Sequence, residues 1–360
     1  MGISNDPSLT THQYTGIVAD RRAAGKALRK NVPRTSHAEW SPAADRPDPV
    51  SLLEEQNRTR LAHLVPIRFE RMSTSPFTYL RGSAIVMAGD LAATPVTGIE
   101  VQLCGDAHLN NFGIYATPER NQVFDLNDFD ETLPGPWEWD VKRLATSIVL
   151  AGRNNGFPRD INRQAVLSCI GSYRQRMWEY SEMRHIDVWY SRIDYASSLE
   201  AVHPTFRSWI HKQREKSSRR THVELLPRLT QEVDSQIIIK NDPPLITRLE
   251  DEELAQMLRM VVEEYRESLR NDRNLLLSKY RYVDVAHKVV GIGSVGTRCY
   301  VILMMGSDSS DPLFLQIKEA RASVYECHLG PSPYPNHGQR VINGQRLMQA
   351  SSGLFLGWTR

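Results

Sequence analysis

An aspartate and an asparagine stand five positions apart in residues 105–111, which read GDAHLNN. A carboxylate can orient or deprotonate an attacking hydroxyl, and the side-chain oxygen of an asparagine can bind Mg²⁺. Because Mg²⁺ takes hard oxygen ligands and keeps part of its water shell, one asparagine and one further aspartate are enough to hold it. The types and spacing of Asp106 and Asn111 therefore suit phosphoryl transfer.

A second acidic segment supplies three candidates for the further aspartate, Asp125, Asp128 and Asp130. We choose Asp128, which is followed by Phe129, because it comes after the strand predicted at 122–126. Four acidic residues fall within the seven positions from Asp125 onward, and they would repel one another without a cation. The segment therefore favours a metal site with Asp128 as a ligand.

A glycine-rich turn and a lysine form another candidate feature near the end of the chain. Gly291, Gly293 and Gly296 follow a GxGxxG pattern between two strand-like runs. Glycines there let backbone N–H groups approach phosphates, but a dinucleotide-binding site would need a helix directly after the turn. A strand follows instead, which is typical of protein kinases, and the next strand delivers Lys318. We therefore predict Gly291, Gly293, Gly296 and Lys318 as nucleotide-binding residues.

The acid that would pair with Lys318 is expected on the helix after its strand. Glu326 is one candidate and Glu319 is another. The helix predicted over 339–351 contains no acid. The identity of this partner is therefore left open.

The elements that must position these residues follow from apolar periodicity and turn signals. Residues 1–48 are polar and are expected to form a loosely structured arm. Residues 49–280 are expected to form a mostly helical catalytic lobe, and residues 281–360 a small β-rich nucleotide-binding lobe, which together make an α+β fold. Helices are predicted over 51–64, 139–152, 160–183, 250–280 and 339–351, and strands over 98–103, 110–116, 122–126, 287–305 (around the glycine-rich turn) and 312–320.

The composition excludes several classes of protein. Hydrophobic residues make up 41% and charged residues 24%, as in ordinary soluble domains. The net charge of +2 gives no reason to expect nucleic acid or an acidic membrane as a partner, although residues 207–220 are locally basic. The four cysteines are not spaced as zinc ligands or as a disulfide framework. No apolar run of 18 residues and no signal peptide is present, so a cytoplasmic protein is expected.

The two aspartate segments resemble those of aminoglycoside phosphotransferases and related small-molecule kinases. Those enzymes share a Gly-Asp-x-His-x-x-Asn loop, a strand, an Asp-aromatic pair and a further Asp at a helix start. The matching residues are Gly105, Asp106, His108, Asn111, Asp128, Phe129 and Asp140. The resemblance implies a protein-kinase-like fold in which Asp106 is the catalytic base and Asp140 is structural. It also implies that Asn111 and Asp128 hold Mg²⁺.

A closer resemblance is to the bacterial family DUF2252. It is carried by the segments LVPIRFERM, SPFTYLRGSA, CGDAHLNNFG, FDLNDFDETLPGPWEWDVKRLA and LQIKEA. It covers nearly the whole chain from about residue 20 and implies no settled activity. Members of this family usually continue beyond the segment that reads FLGW here. The small lobe is therefore expected to be truncated, without its last strands and the hinge that packs adenine.

The order of the two features differs from that of an ordinary kinase. There the glycine-rich loop and its lysine come first, whereas here Lys318 follows Asp106 by about 200 residues. Circular permutation would reconcile the two orders, because the termini of many domains lie close together. We therefore expect a circularly permuted, protein-kinase-like fold. A separation of more than about 15 Å between Lys318 and both Asp106 and Asp128 would contradict it.

These features predict an ATP- and Mg²⁺-dependent phosphotransferase that acts on a hydroxyl of an unknown small molecule or protein. Three alternatives stay open. An AMP transferase would need the same metal and phosphate contacts, and a pseudokinase-type module would bind the nucleotide without catalysis. A phosphohydrolase would use His108 with the acidic segment, but it would need a second metal and more histidine ligands than the sequence supplies.

Overall fold

The computed structural model describes residues 17–218, 221–249 and 251–360, in which α-helices predominate and strands form small sheets. The helices are α1 (Val18–Asn31), α2 (Pro49–Asn57), α3 (Val65–Ser73), α4 (Pro76–Gly82), α5 (Ala84–Ala92), α6 (Trp137–Asn154), α7 (Arg159–Glu182), α8 (His185–Tyr190), α9 (Tyr195–Ala201), α10 (Arg207–Ser218), α11 (His222–Leu229), α12 (Glu252–Glu267), α13 (Asn271–Leu277), α14 (Glu326–Leu329) and α15 (His337–Met348). The strands are β1 (Glu100–Leu103), β2 (Phe112–Ala116), β3 (Gln122–Leu126), β4 (Leu133–Pro136), β5 (Ile193–Asp194), β6 (Thr230–Val233), β7 (Gln236–Ile239), β8 (Ile246–Arg248), β9 (Arg281–Lys288), β10 (Cys299–Met305) and β11 (Pro312–Lys318). Short 3-10 helices cover Arg34–Ala38, Ala62–Leu64, Leu109–Asn111 and Pro204–Phe206.

Two antiparallel strand pairs position the aspartate segments. The last residue of β1, Leu103, lies opposite the first residue of β4, Leu133. The first residue of β2 likewise lies opposite the last residue of β3. The loop at 104–111 joins β1 to β2, and the loop at 127–132 joins β3 to β4. Because both loops connect the same two strand pairs, they run side by side.

Helix α6 begins directly after β4 and lies against the first of these loops. Glu138 and Asp140 fall in its first turn, where the helix dipole favours negative charge. The helix packs against α7 and β1, and its buried residues include Trp139 and Arg143. Asp140 and Arg143 are three positions apart and therefore share one face of the helix.

The largest sheet has the strand order β11-β10-β9-β8, and all of its neighbouring strands are antiparallel. Every residue of β10 is buried, because apolar clusters cover both faces of the sheet. Ile302 packs with α12 and α13 on one face, and Leu303 packs with Ile239 of β7 on the other. Each such burial contributes roughly 1.5–3 kcal/mol.

The glycine-rich segment and Lys318 lie at the same end of this sheet. Residues 289–298 form the loop between β9 and β10. Lys318 is the last residue of β11 and lies opposite Cys299, the first residue of β10. The antiparallel register therefore places the lysine next to the end of the loop.

The residues after β11 return to the aspartate loops. Helix α15 packs against β1, and its buried Arg340 donates to the carbonyl oxygens of Thr132 (2.5 Å) and Asp130 (2.8 Å). The hydroxyl of Tyr325 donates to the carbonyl oxygen of Gly105 (2.6 Å). The end of the chain thus packs against the loops that carry Asp106 and Asp128.

The predicted α+β class is confirmed, and the elements around the aspartates begin and end close to their predicted positions. The helix predicted over 51–64 was too long, because α2 ends at Asn57. The Asn57 side chain is buried and accepts a hydrogen bond from Arg68 Nη1 (2.5 Å), and the N–H of Leu61 donates to the carbonyl oxygen of Gly296 (2.8 Å). These tertiary contacts end the helix at Asn57. They could not be predicted from the periodicity of apolar residues.

The helix predicted over 250–280 is two helices, α12 and α13. Ser268 lies between them, and its hydroxyl accepts a hydrogen bond from the N–H of Trp358 (3.0 Å). Position 250 lies outside the described residues, as do residues 1–16 of the expected arm and residues 219–220 of the basic segment. The described part of the arm is not loosely structured throughout, because Val18–Asn31 form helix α1.

Two predictions about composition can also be compared with the structure. All four cysteines are free thiols, as their spacing predicted. Within the part of the chain that the structure describes, no helix has both the length and the apolar character needed to cross a bilayer.

Candidate functional site

Asp106 lies on the loop between β1 and β2, and a buried arginine holds one of its carboxylate oxygens. Arg143 Nε and Nη2 each lie 2.5 Å from Oδ1. The Arg143 side chain has no exposed surface, whereas the Asp106 side chain is 24% exposed. The other oxygen, Oδ2, has His108 Nε2 at 3.6 Å, which is longer than a normal hydrogen bond. Asp106 therefore has one fixed oxygen and one that is available to a ligand.

Asp140 fixes the backbone just before Asp106. Its carboxylate accepts hydrogen bonds from the N–H groups of Cys104 (2.7 Å) and Gly105 (3.0 Å). Gly105 has φ of +86°, and a Cβ there would lie 2.2 Å from the carbonyl oxygen of Glu131. Since both the dihedral and the space admit only glycine, the backbones of the two aspartate loops touch at this residue.

Asn111 joins the same two loops through its side-chain amide. Nδ2 donates to the carbonyl oxygens of Asp106 (3.0 Å) and Asp128 (2.9 Å), and Oδ1 accepts from the N–H of Asp128 (2.8 Å). The residue is only 3% exposed. Its oxygen also accepts a longer hydrogen bond from the N–H of Asn127 (3.4 Å), so a Mg²⁺ ion would have to replace this contact, and the role of Asn111 as a Mg²⁺ ligand stays a prediction. What the structure gives is a buried amide that sets the position of one aspartate relative to the other.

Lys318 reaches from the largest sheet to the second aspartate loop. Its Nζ lies 3.3 Å from both carboxylate oxygens of Asp128 and 2.7 Å from Oδ2 of Asp130. The side chains of Asp128 and Asp130 are 47% and 36% exposed. Residues separated by 190 and 188 positions in the sequence therefore share one solvent-accessible cluster. The contact also meets the distance condition stated above for a permuted order.

Two arginines from the early helical segment hold the glycine-rich loop. Arg60 Nη1 donates to the carbonyl oxygens of Gly293 (2.8 Å) and Val295 (2.6 Å). Arg71 Nη1 donates to the carbonyl oxygen of Gly291 (2.8 Å). Because these bonds use backbone carbonyls, the loop is anchored by groups that a phosphate would not contact.

The glycine-rich loop also approaches the second aspartate loop. Gly291 and Gly296 have φ of +65° and +85°, in the left-handed region that favours glycine. Ser294, between them, has its Oγ 3.5 Å from Oδ2 of Asp130. The glycine-rich loop thus meets the cluster of Lys318 and the aspartate pair at Ser294, so the segments that carry the residues predicted for the nucleotide and metal sites lie next to one another.

The acidic partner of Lys318 is not one of the predicted glutamates. Glu319 pairs with Arg298, and Glu326 accepts a hydrogen bond from the N–H of Ser323. The two loop aspartates take this role instead. Because they precede Lys318 by almost 190 positions, a search of the next helix could not have found them.

The comparisons with known proteins identify a family. The family described as "Uncharacterized protein conserved in bacteria (DUF2252)" matches residues 60–360, which include every predicted site residue. The chain belongs to the DUF2252 family. No curated protein and no solved structure matches it. For this DUF2252 protein, the chemistry must therefore be argued from the arrangement of its own residues.

The charges at the Lys318 cluster are strongly coupled. Desolvation alone would raise the pKa of Asp128, but the Lys318 ammonium more than offsets it and lowers that pKa. Desolvation and the neighbouring Asp128 carboxylate raise the pKa of Asp130 to about 6. Desolvation alone would lower the pKa of Lys318, but the two aspartates raise it. The cluster therefore holds a charged lysine and a charged Asp128 at neutral pH.

The donor set of the DUF2252 protein fits a cation that is bound together with phosphates. Among the described residues, no three His, Cys, Asp or Glu side chains lie close enough to form a metal cage. Mg²⁺ is commonly held by one or two carboxylates plus substrate phosphates, and the exposed oxygens of Asp128 and Asp130 could supply these carboxylates. The Lys318 ammonium already lies between them, so this position attracts positive charge.

Three residues that secure the site were missed in the sequence. Arg143 holds Asp106, Arg340 holds the backbone at 130–132, and Tyr325 holds Gly105. Arg143 alone had a usable signal, since its spacing of three from Asp140 puts both on one helix face. Arg340 and Tyr325 bond to backbone carbonyls about 200 residues earlier, and no local pattern encodes such a contact.

A concavity of about 870 Å³ lies away from this cluster. It is lined mainly by α12 and by the start of β9, and includes Arg259, Arg266 and Tyr282. None of the predicted site residues lines it. The concavity is therefore not part of the predicted nucleotide and metal sites.

Proposed function

We propose that this DUF2252 protein is an ATP- and Mg²⁺-dependent phosphotransferase that acts on a hydroxyl acceptor, with the parts of a protein-kinase-like site in permuted order. The observation that carries the proposal is the contact of Lys318 Nζ with Asp128 (3.3 Å) and Asp130 (2.7 Å) beside the glycine-rich loop. Phosphoryl transfer needs a phosphate-binding lysine, a glycine-rich turn and a metal-binding aspartate in one place. Here segments far apart in sequence supply them.

The nucleotide would lie along the glycine-rich loop. Lys318 would leave the two aspartates in part and contact phosphate oxygens, since its ammonium is mobile at the end of a long side chain. Mg²⁺ held by Asp128 would neutralise charge on the β and γ phosphates. Without nucleotide, Lys318 and Asp128 contact each other. In the complex, Lys318 would bind the phosphates of ATP and Asp128 would bind its Mg²⁺ ion.

The acceptor hydroxyl would donate to Asp106 Oδ2, the oxygen that Arg143 leaves available. Its oxygen forms a bond to the γ-phosphorus, the bond from that phosphorus to the β-bridging oxygen breaks, and ADP leaves; the hydroxyl proton passes to Asp106. His108 is suited to a neutral packing role beside it, because burial lowers its pKa. Arg143 fixes the carboxylate so that the free oxygen keeps one direction.

Calorimetric titration tests the nucleotide site. Wild-type protein should bind ATP with MgCl₂ and bind it far more weakly without. Asp128→Ala and Lys318→Ala should each weaken Mg-ATP binding by at least about tenfold, or about 1.4 kcal/mol. Lys279→Ala changes an exposed lysine just before β9, at the opposite end of that strand from the glycine-rich loop, and serves as the matched control, which should bind like wild type.

The result that would overturn the proposal is wild-type protein that binds no ATP in the presence of Mg²⁺. Loss of binding in the Lys279→Ala control as well would mean that the assay reports net charge rather than the site. For protein that does bind ATP, release of ADP rather than AMP and pyrophosphate during turnover distinguishes phosphoryl transfer from AMP transfer.

A further inference from the structure

Arg81, in the last turn of α4, lies between the glycine-rich loop and the Asp106 loop. Its carbonyl oxygen would be 3.2 Å from a Cβ added at Gly293, so the two backbones nearly touch. Burial lowers the pKa of Arg81, and the charge that opposes this shift is Asp106. The positive charge of Arg81 also contributes to the lowered pKa of His108, after burial. Arg81 is therefore close to the glycine-rich loop and within electrostatic range of the proposed base.

The backbone on either side of Arg81 is held by two fully buried arginines. Arg143 Nη2 donates to the carbonyl oxygen of Leu80 (2.8 Å), and Arg68 Nη2 donates to that of Gly82 (2.7 Å). Neither arginine exposes any surface. The backbone at the end of α4, which carries the Arg81 side chain, is thus held in place. The same Arg143 also holds the carboxylate of Asp106.

The guanidinium of Arg81 has no hydrogen-bond or ion-pair partner within residues 17–218, 221–249 and 251–360, although its Nε is shielded from solvent. The Nε atoms of Arg60 and Arg68 are likewise shielded and without an acceptor, but the terminal nitrogens of the arginines around Arg81 do have acceptors. Arg60 and Arg71 donate to the glycine-rich loop, and Arg143 donates to Asp106. A shielded donor without an acceptor is unfavourable, and a guanidinium presents a planar fork that matches the oxygens of a phosphate.

We infer that Arg81 binds the γ-phosphoryl group of the nucleotide. The inference rests on the proposed function and adds a residue to it. Lys318 and the glycine-rich loop bind the phosphates from the side of the largest sheet. Arg81 lies on the side of the Asp106 loop, where the acceptor hydroxyl attacks the γ-phosphorus. Negative charge spreads over the equatorial oxygens of that group during transfer, and a fixed arginine stabilises it.

The test compares a nucleotide that has a γ-phosphate with one that lacks it. Calorimetry gives the Kd of Mg²⁺ complexes of ADP and of a β,γ-imido analogue of ATP for wild type, Arg81→Gln and Arg81→Lys. Arg81→Gln should weaken the analogue by at least about tenfold and leave ADP within about twofold. Arg81→Lys should fall between, because lysine keeps the charge without the fork. Arg58→Gln, which changes an arginine whose side chain is 75% exposed, is the matched control and should bind both ligands like wild type.

The outcomes separate this inference from the function on which it rests. If wild type binds neither nucleotide, the proposed function fails and Arg81 has no γ-phosphate to bind. If wild type binds both, the inference is overturned when Arg81→Gln binds the analogue as tightly as wild type. It is also overturned when both nucleotides weaken by the same factor, because a residue needed only for folding or for general attraction would not distinguish them. An unchanged urea midpoint for Arg81→Gln shows that the comparison is made on folded protein.

Discussion

The aspartate loops and the glycine-rich loop with Lys318 are held together in different ways. The aspartate loops lie within about 40 residues of sequence. Asp140 and Asn111 bind their backbones, and the buried Arg143 binds the carboxylate of Asp106. The second region is brought in from almost 200 residues away, and its contact with the first is an ion cluster that is partly open to water. The difference suggests that the aspartate loops form a rigid platform, a rigid base in the structural sense, that carries Asp106 and Asp128. Lys318 can then exchange its contacts with Asp128 and Asp130 for contacts with a ligand.

If this comparison is right, substitutions in the two regions should have opposite signatures. Changes among the buried contacts of the aspartate loops should lower the free energy of unfolding. Changes in the second region should leave it nearly unaltered, because partly exposed ion pairs contribute little to stability.

The largest effect on stability is expected for Arg143→Met. The arginine is fully buried, and its removal strips Asp106 of its partner and takes one of the donors away from the carbonyl oxygen of Leu80. Breaking a buried pair in this way destabilises a protein by about 3–5 kcal/mol. Urea unfolding followed by tryptophan fluorescence measures the change.

Lys318→Met is the counterpart in the second region. It should lower the free energy of unfolding by no more than about 1 kcal/mol, since water can reach the two aspartates that it leaves behind. Equal losses in Arg143→Met and Lys318→Met would mean that the two regions are equally structural, and the comparison would not hold.

A smaller contrast is expected between two glycines that share a left-handed conformation. Gly105 has φ of +86° and Gly291 has φ of +65°. A Cβ at Gly105 would lie 2.2 Å from the carbonyl oxygen of Glu131, whereas nothing lies within 4 Å of a Cβ at Gly291. Gly291→Ala should lower the free energy of unfolding by only the backbone strain, about 1 kcal/mol. Gly105→Ala adds a backbone collision and should lower it by about 3 kcal/mol.

Urea midpoints of the two alanine variants check this contrast under one set of conditions. Similar losses would show that the aspartate loops can separate at Gly105 without much penalty. Alanine at Gly25, on α1, offers a control, because it is a helical glycine with nothing within 4 Å of an added Cβ. There alanine should be neutral or slightly stabilising.

The difference between the two regions also decides what the sequence could reveal. The proximity of Asp106, Asn111 and Asp128 could be predicted from spacing because the loops that carry them are local, and the strands and helix around them have clear periodicity. Lys318 was found from its strand, but its partners were not, because an ion pair between distant segments has no local signature. Short strands such as β5 and β8, of two and three residues, gave too little alternation to be predicted.

The buried arginines were the least predictable part of the site. Arg68, Arg143 and Arg340 are at most 1% exposed, although arginine in a sequence usually indicates the surface. Each donates to a backbone carbonyl oxygen of another segment, which is the end of α4 for Arg68 and Arg143 and the second aspartate loop for Arg340. Such a role depends on where those segments lie in three dimensions, and residue type alone does not indicate it.

The smallest effect concerns pH and the contact between the second aspartate loop and the end of the chain. Burial raises the pKa of Glu131 from 4.5 to about 7, although its carboxylate accepts a hydrogen bond from the N–H of Val324 (2.7 Å). Between about pH 4.5 and 7 the folded state keeps a proton that the unfolded state has lost. This carboxyl therefore stabilises the fold below pH 4.5, and its contribution is lost as the pH rises through 7.

Glu131→Gln should remove this dependence, because the amide keeps an oxygen for Val324 but has no charge to bury. The free energy of unfolding of wild type should fall by roughly 2 kcal/mol more than that of the variant between pH 5 and 7. Asp140, another carboxyl with a raised pKa, titrates in both proteins and cancels in the difference. Asp130 cancels only in part, because its charge is one of those that raise the pKa of Glu131. Glu100→Gln, at an exposed position on β1, should follow wild type throughout. A flat difference curve for Glu131→Gln would mean that Glu131 is as well solvated in the folded protein as in the unfolded chain. The second aspartate loop would then be open on the side that faces Val324, and the rigid base would extend only to the contacts made by Asn111 and Asp140.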